Sequence, residues 1–196
     1  MVLMLDKLKR HRETLVDLSD LVVYEPPTSY LREYPSVDRT FAFLDVSDFT
    51  NYTQKYGVRA AAQMLTKFRS AVRIVVGKHR VRVAKWLGDG VMLVGVKPKA
   101  VCSAVMEIND LFQGDEFYIH SGICKGKVII FEGDDYVGRA VNIASRLADN
   151  ARPAHVLMYE ARKIDMPARS IRKKLSTSIQ IRGIGELDNV YLLTRR

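Results

Sequence analysis

The feature that most constrains this chain is a short turn, Gly88-Asp89-Gly90, set between two strand-length apolar runs. Residues 81–86 alternate in part and residues 91–96 are continuously apolar, so the pair reads as a hairpin. Before it come an apolar run over residues 40–46, TFAFLDV, and a helical stripe of Val58, Ala61, Ala62, Leu65, Phe68, Val72 and Val75. After Pro98 helical spacing returns with Val101, Ala104, Val105, Ile108 and Leu111. Residues 117–124 and 128–131 then read as a second hairpin around Lys125-Gly126-Lys127. Two hairpins interrupt the β-α alternation that a doubly wound parallel sheet needs. The expected class is α+β: a mixed, mainly antiparallel sheet with helices packed on one face. The glycine fingerprints of dinucleotide-binding folds and P-loops are absent.

The flanks set the domain expectation. Residues 3–23 place Leu5, Leu8, Leu15, Leu18 and Val22 at helical spacing, and Glu25-Pro26-Pro27 ends the run. Residues 1–37 therefore read as an amphipathic helix with a linker, and residues 38–196 as one folded domain. The polar face of that helix is of mixed sign, which favours packing on protein over docking on a membrane. No run of 18 apolar residues predicts a membrane span, and the N-terminus lacks the apolar core of a signal peptide. Cys102 and Cys124 form no CxxC and sit in a predicted helix and strand, so reduced core thiols in a cytoplasmic protein are expected. Past residue 150 the sequence suggests a strand at 155–159, a basic segment, and closing strands at 178–182 and 190–193.

Charge narrows the ligand class. The net +9 comes from 31 basic against 22 acidic residues, with ten basic and four acidic of them in residues 151–196. A basic balance suits an anionic ligand such as a nucleotide. Nothing like the stacked aromatics or basic stripe of a nucleic-acid binder is present, so no nucleic-acid partner is expected.

Three groups of residues can do chemistry. Asp45 closes the first apolar strand and Asp89 sits at the hairpin tip. On neighbouring strands both carboxylates would leave one sheet edge, and hard oxygen ligands without His or Cys suit Mg²⁺ or Mn²⁺ over zinc. The third group lies in DYVGRAVNIASRL, residues 135–147, where helical spacing follows Gly138. Val141, Ala144, Leu147, Ala148 and Ala151 gather on one side of that helix, with Asn142 and Arg146 four apart on the other. An amide and a guanidinium there can hold a developing negative charge; a solvated surface helix is the plainer use.

Together FLDVSDFT (43–50), KWLGDG (85–90) and DYVGRAVNIASRL resemble the signature stretches of the class III nucleotidyl cyclases. His120-Ser121-Gly122 with Gly126 is similar to that family's glycine hairpin, and residues 182–184 with 190–192 are similar to its closing strands. The resemblance covers about residues 38–196. It implies a ferredoxin-like βαββαβ core working as a head-to-tail homodimer, with active sites shared across the interface. It implies ATP as substrate and two Mg²⁺ or Mn²⁺ ions per site. Asp45, Val46 and Asp89 fall in the metal shell, and Lys85 and Asp135 on the purine-reading pair. Phe49 and Thr50 fall in the substrate-binding turn, and Asn142 and Arg146 on the catalytic pair. Lys85 and Asp135 are the types expected of an adenylate-specific member, since a Lys donor and an Asp acceptor complement adenine's edge and mismatch guanine's.

One position departs from the family pattern: Asp48 stands where a glycine is usual. Asp tolerates left-handed backbone better than most residues, so the turn can survive. Its charge would nonetheless face the triphosphate, unless it points away or joins the metal shell. The expected activity is an adenylate cyclase making 3′,5′-cyclic AMP and pyrophosphate. A weakly active or non-catalytic nucleotide-binding module is the alternative, followed by a guanylate cyclase and, last, a nucleic-acid-binding domain.

Overall fold

The chain starts its described part on a long strand, β1 (Ser36–Val46), whose residues alternate between two cores. This computed structural model describes residues 36–114, 117–131, 135–161 and 164–195. The expected N-terminal helix and linker lie outside these residues, as do Gly133 and Asp134 of the acidic loop. Helix α1 (Phe49–His79) follows, then the hairpin β2 (Arg82–Leu87) and β3 (Gly90–Gly95). Helix α2 (Pro98–Leu111) opens with Pro98 in its first turn, where the missing N–H is no loss. Strand β4 (Ile119–Phe131) leads to β5 (Asp135–Val137) and helix α3 (Arg139–Asn150). Strands β6 (Val156–Tyr159), β7 (Ser170–Lys174), β8 (Ile179–Ile181), β9 (Gly185–Leu187) and β10 (Val190–Arg195) complete the domain.

The main sheet runs β2-β3-β1-β4-β6-β10-β7, with β5 paired to the far half of β4. Its first four strands are mutually antiparallel. With α1 and α2 as crossovers they form the ferredoxin-like βαββαβ core. Strand β6 joins β4 in parallel, and β8 with β9 forms a separate small hairpin.

Three expectations need correction. Residues 117–131 hold no hairpin: β4 is one strand paired with β1 without a break, from Val46 opposite Ile119 to Ser36 opposite Ile129. Gly126 is there because α3 crosses close by, and a Cβ would lie 2.9 Å from the Ala140 Cβ. Helices cover both faces, not one. Ala42, Leu44 and Val46 of β1 pack with Phe68, Val72, Val105 and Ile108 of α1 and α2, while Phe41 packs with Ile143, Ala144 and Leu147 of α3. The core stripe of α1 is Ala61, Met64, Phe68, Val72, Val75 and Val76, with Val58 78% exposed. A break at Gly57 (φ 83°, ψ 167°) starts a new helical segment there, and its first turn stays outside the core. In α2, Leu111 is likewise exposed and Phe112 takes the core position.

The basic segment also gains a strand. Residues 170–174, SIRKK, form β7 beside β10 as the last strand of the sheet, where exposed Lys and Arg block further pairing. Cys102 is buried on the α1/α2 side and Cys124 on the α3 side, both free, and burial pushes each thiol up to about 12.

Candidate active site

The α3 face of the sheet collects the residues singled out by sequence. Along β1 the residues alternate, so Phe41, Phe43 and Asp45 share this face. Asp45 lies at the end of β1, opposite Gly90 on one side and His120 on the other. Glycine at 90 leaves room for its carboxylate: a Cβ there would sit 2.7 Å from Asp45 Oδ1. Asp89 precedes Gly90 in the tight turn, with Gly88 at φ 67° in the first central position that favours glycine. Burial pushes the Asp45 carboxyl above its ordinary range, the Asp89 charge adds to this, and His120 and the Val46 N–H oppose it. The two carboxylates therefore lie close enough at this end of the sheet to repel each other. Among the described residues no cluster of three or more His, Cys, Asp or Glu forms a ready-made cation cage. Two hard carboxylates fit a divalent ion that keeps water or substrate oxygens as its other ligands.

Val46 buries its side chain in the α1/α2 core, so only its backbone reaches the edge, where its N–H bonds the Asp45 carboxylate. Asp48 begins α1 in left-handed geometry, φ 58° and ψ 25°, so the turn survives the loss of glycine. Its carboxylate is exposed and accepts a bond from Asn51 Nδ2 at 3.3 Å. Phe49 packs against the α1/α2 core and Thr50 is exposed at the helix start.

Lys85 and Asp135 meet directly, Nζ to Oδ1 at 3.0 Å, with both side chains close to half exposed. The Lys85 hydrogen bond, helped by the Tyr136 N–H, holds the Asp135 carboxyl below its usual range. Asn142 and Arg146 share the exposed side of α3. Arg146 Nη1 donates to Asp149 at 3.0 Å, and the Asn142 amide makes no side-chain bond among the described residues. Among the described residues neither forms a hydrogen bond or ion pair with Asp45 or Asp89.

Two further side chains support this edge: His120, which the sequence offers only as part of His120-Ser121-Gly122, and Arg69, which no sequence pattern announces. His120 gives its Nδ1–H to the Ala148 carbonyl at 2.8 Å, because a carbonyl only accepts, and its Nε2 lies 3.6 Å from Asp45 Oδ2. It thus links β1 to α3. Arg69 donates to the Gly88 carbonyl at 2.9 Å while lying over the Trp86 ring, and so steadies the Asp89 turn. Both links depend on register and helix placement. A His opposite an Asp across two strands is visible only once β4 is known to be continuous.

No family model matches the chain. An uncharacterized protein of Mycobacterium tuberculosis is 34% identical over 124 residues, covering 62% of this chain and 32% of that protein. An adenylate cyclase of Glutamicibacter nicotianae is 26% identical over 121 residues, 61% of this chain and 30% of that one. The chain thus spans about a third of the length of the curated relatives it matches. Among solved structures, the catalytic core of a rhodopsin-guanylyl cyclase with converted specificity, in complex with ATPαS, superposes with a TM-score of 0.72. It is 20% identical and the match covers 83% of this chain and 99% of that one. The adenylyl cyclase CyaB from P. aeruginosa matches at a TM-score of 0.68 and 21% identity, over 83% and 96% of the two chains. Fold and sequence similarity converge: this chain has the catalytic-domain fold of the class III nucleotidyl cyclases.

Proposed function

We propose that the chain is an adenylate cyclase that converts ATP to 3′,5′-cyclic AMP and pyrophosphate. The observation that carries this reading is the Lys85–Asp135 pair, set in a nucleotidyl cyclase fold on the same face as Asp45. Fold alone does not choose the purine, because its solved neighbours include adenylyl and guanylyl cyclases. The polarity of the pair favours adenine. A Lys donor meets adenine N1 and an Asp acceptor meets its amino group, whereas guanine presents the opposite polarity at both atoms.

Asp45 and Asp89 would hold Mg²⁺ or Mn²⁺, up to two ions, supplying activation of the ribose 3′ hydroxyl and neutralisation of the triphosphate. The turn at Asp48, Phe49 and Thr50 would lie along the phosphates. Arg146 would offer a forked donor to the α-phosphate oxygens as charge gathers there, and Asn142 would orient the ribose. Positioning matters most, since phosphoryl transfer asks little covalent help from the protein. Support for a site shared across a head-to-tail homodimer comes from the exposure of Asn142 and Arg146. Among the described residues they form no hydrogen bond or ion pair with Asp45 or Asp89, so a second copy would complete each site. The two buried free thiols suit a reducing compartment such as the cytoplasm.

The test is cyclic nucleotide production from ATP and from GTP, with Mg²⁺ and with Mn²⁺, using Asp45→Ala as control. Cyclic AMP that disappears in the control is expected. Asp45→Ala and Arg146→Ala, each inactive alone, are expected to regain part of the activity on mixing; no recovery between exchanging dimers would sink the shared site. A second reading, a nucleotide-binding module with little turnover, draws on Asp48, an exposed carboxylate at the start of α1 whose charge would oppose a triphosphate bound along this turn. Silence under all four conditions in a folded dimer that binds ATP would favour it.

A further inference from the structure

Strand β5 carries Asp135 but is only three residues long, and its backbone pairs with β4 alone. A ladder that short is a weak anchor for a side chain that must hold its place. Side chains supply the missing constraint. Arg82 Nη2 donates to the Tyr136 hydroxyl at 2.6 Å, and its guanidinium lies 5.8 Å from the ring centre. The Tyr136 ring stands edge-on to Phe41 with centroids 5.2 Å apart and is 9% exposed. The Tyr136 N–H donates to Asp135 Oδ1 at 2.8 Å, and the same oxygen meets Lys85 Nζ. Arg82, Tyr136, Asp135 and Lys85 therefore form a closed circuit that returns through β2.

An irregularity in β2 makes the circuit possible. Arg82 and Lys85 are three residues apart, which in a regular strand puts them on opposite faces. Here Arg82 pairs with Val94, Val83 with Leu93 and Lys85 with Met92, so Ala84 is left out of the ladder. Val94 and Met92 both pack on the α3 side, the side of Tyr136. The bulge thus turns both cations toward β5.

We propose that Arg82 and Tyr136 are positioning residues for purine selection, bolting β5 so that the Asp135 acceptor stays at a fixed offset from the Lys85 donor. The proposal rests on the adenylate cyclase reading above. A rigid donor–acceptor pair rejects guanine because both polar groups are left facing like partners; a mobile Asp135 escapes that clash and discriminates less.

The test uses the full chain with Tyr136→Phe, which removes only the hydroxyl and keeps the ring on Phe41, alongside Arg82→Ala and Arg82→Lys. KM and kcat are measured for ATP and GTP, and affinities for both are measured by competition against a fluorescent nucleotide. Loss of one such bond predicts a rise of about fivefold in KM for ATP in Tyr136→Phe and Arg82→Ala, with a similar fall in the ATP-over-GTP ratio. Smaller changes in kcat and an intermediate Arg82→Lys are expected, because lysine keeps a donor but not the planar fork. Melting curves confirm that Tyr136→Phe is folded. If the parent prefers ATP and both folded variants keep its KM and its ratio, the bolt is overturned and the adenylate reading stands. A fall in kcat with the ratio unchanged also overturns it. A parent that prefers GTP, or that neither binds nor turns over either nucleotide, overturns the adenylate reading and the bolt together.

Discussion

The two faces of the central sheet are built by opposite rules. Beneath α1 and α2 the packing is by bulk: Phe68, Phe112, Leu93 and Ile108 are fully buried, and Phe68, Phe112 and Phe117 stack in series. Beneath α3 the packing is by absence. Gly122 and Gly126 of β4 leave room for the helix to approach backbone to backbone, and Ala140, Ala144 and Ala148 face them. A Cβ at Gly122 would run into the Ala144 carbonyl and the Ala148 amide, and would lie 2.7 Å from the Leu147 Cβ. The polar residues of the site, Asp45, Lys85, Asp135 and His120, belong to this second face or its rim. The difference teaches that bulky packing and the candidate site are lodged on separate sides. The glycines bring α3 against the β4 backbone and so limit where its exposed residues can stand.

If that division is real, the largest stability loss should come from the face without chemistry. Phe68→Ala should cost about 3–5 kcal/mol in denaturant unfolding, yet leave the ATP-over-GTP ratio of the folded protein unchanged. A shifted ratio would break the comparison. Gly122→Ala should cost less, roughly 1–3 kcal/mol for overpacking, but depress cyclic nucleotide formation in conditions where circular dichroism shows the variant folded. Full activity there would mean that α3 placement is not what positions Asn142 and Arg146. Asp48→Gly should change stability by no more than about 1 kcal/mol, since it only relieves left-handed geometry. If the proposed triphosphate site is right, its turnover should rise because a like charge is removed from it; an unaltered rate would dismiss Asp48 as a brake.

The smallest effect sharpens the contrast from the other side. Glu107 on α2 bonds Lys78 at 2.8 Å and His79 at 2.7 Å near the end of α1. The Lys78 hydrogen bond, then that of His79, holds its carboxyl below the usual range. A depressed carboxyl contributes stability above its unfolded pKa and loses it as pH falls through the folded one. Glu107→Gln should therefore cost about 0.5 kcal/mol at neutral pH, with the deficit shrinking below roughly pH 4. A deficit that persists in acid would point to lost packing.

The βαββα order was legible from residues 40–111 because the helices show their period, the strands stand out as short apolar runs, and a glycine turn separates β2 from β3. The face of α3 was legible too: its buried Ala144, Leu147 and Ala148 and its exposed Asn142 and Arg146 follow from helical spacing. The continuity of β4 was not. Lys125-Gly126-Lys127 looks like a turn because glycine serves turns and close approaches alike, and only the position of Ala140 tells them apart. The second helix-covered face was hidden for a related reason, as Phe41 to Leu44 of β1 are continuously apolar and alternation vanishes when both sides are buried.

The sequence by itself determined which residues carry charge and hydrogen-bonding groups, and their local order along strands and helices, because those depend on near neighbours. Tertiary structure decided which of them meet. Asp45 faces Gly90 and His120 through register, Lys85 reaches Asp135 through a bulge, and Arg82 reaches Tyr136 across 54 residues of chain. Register and bulges are set by the sum of many packing contacts over the whole sheet, and no short window of residues contains that sum.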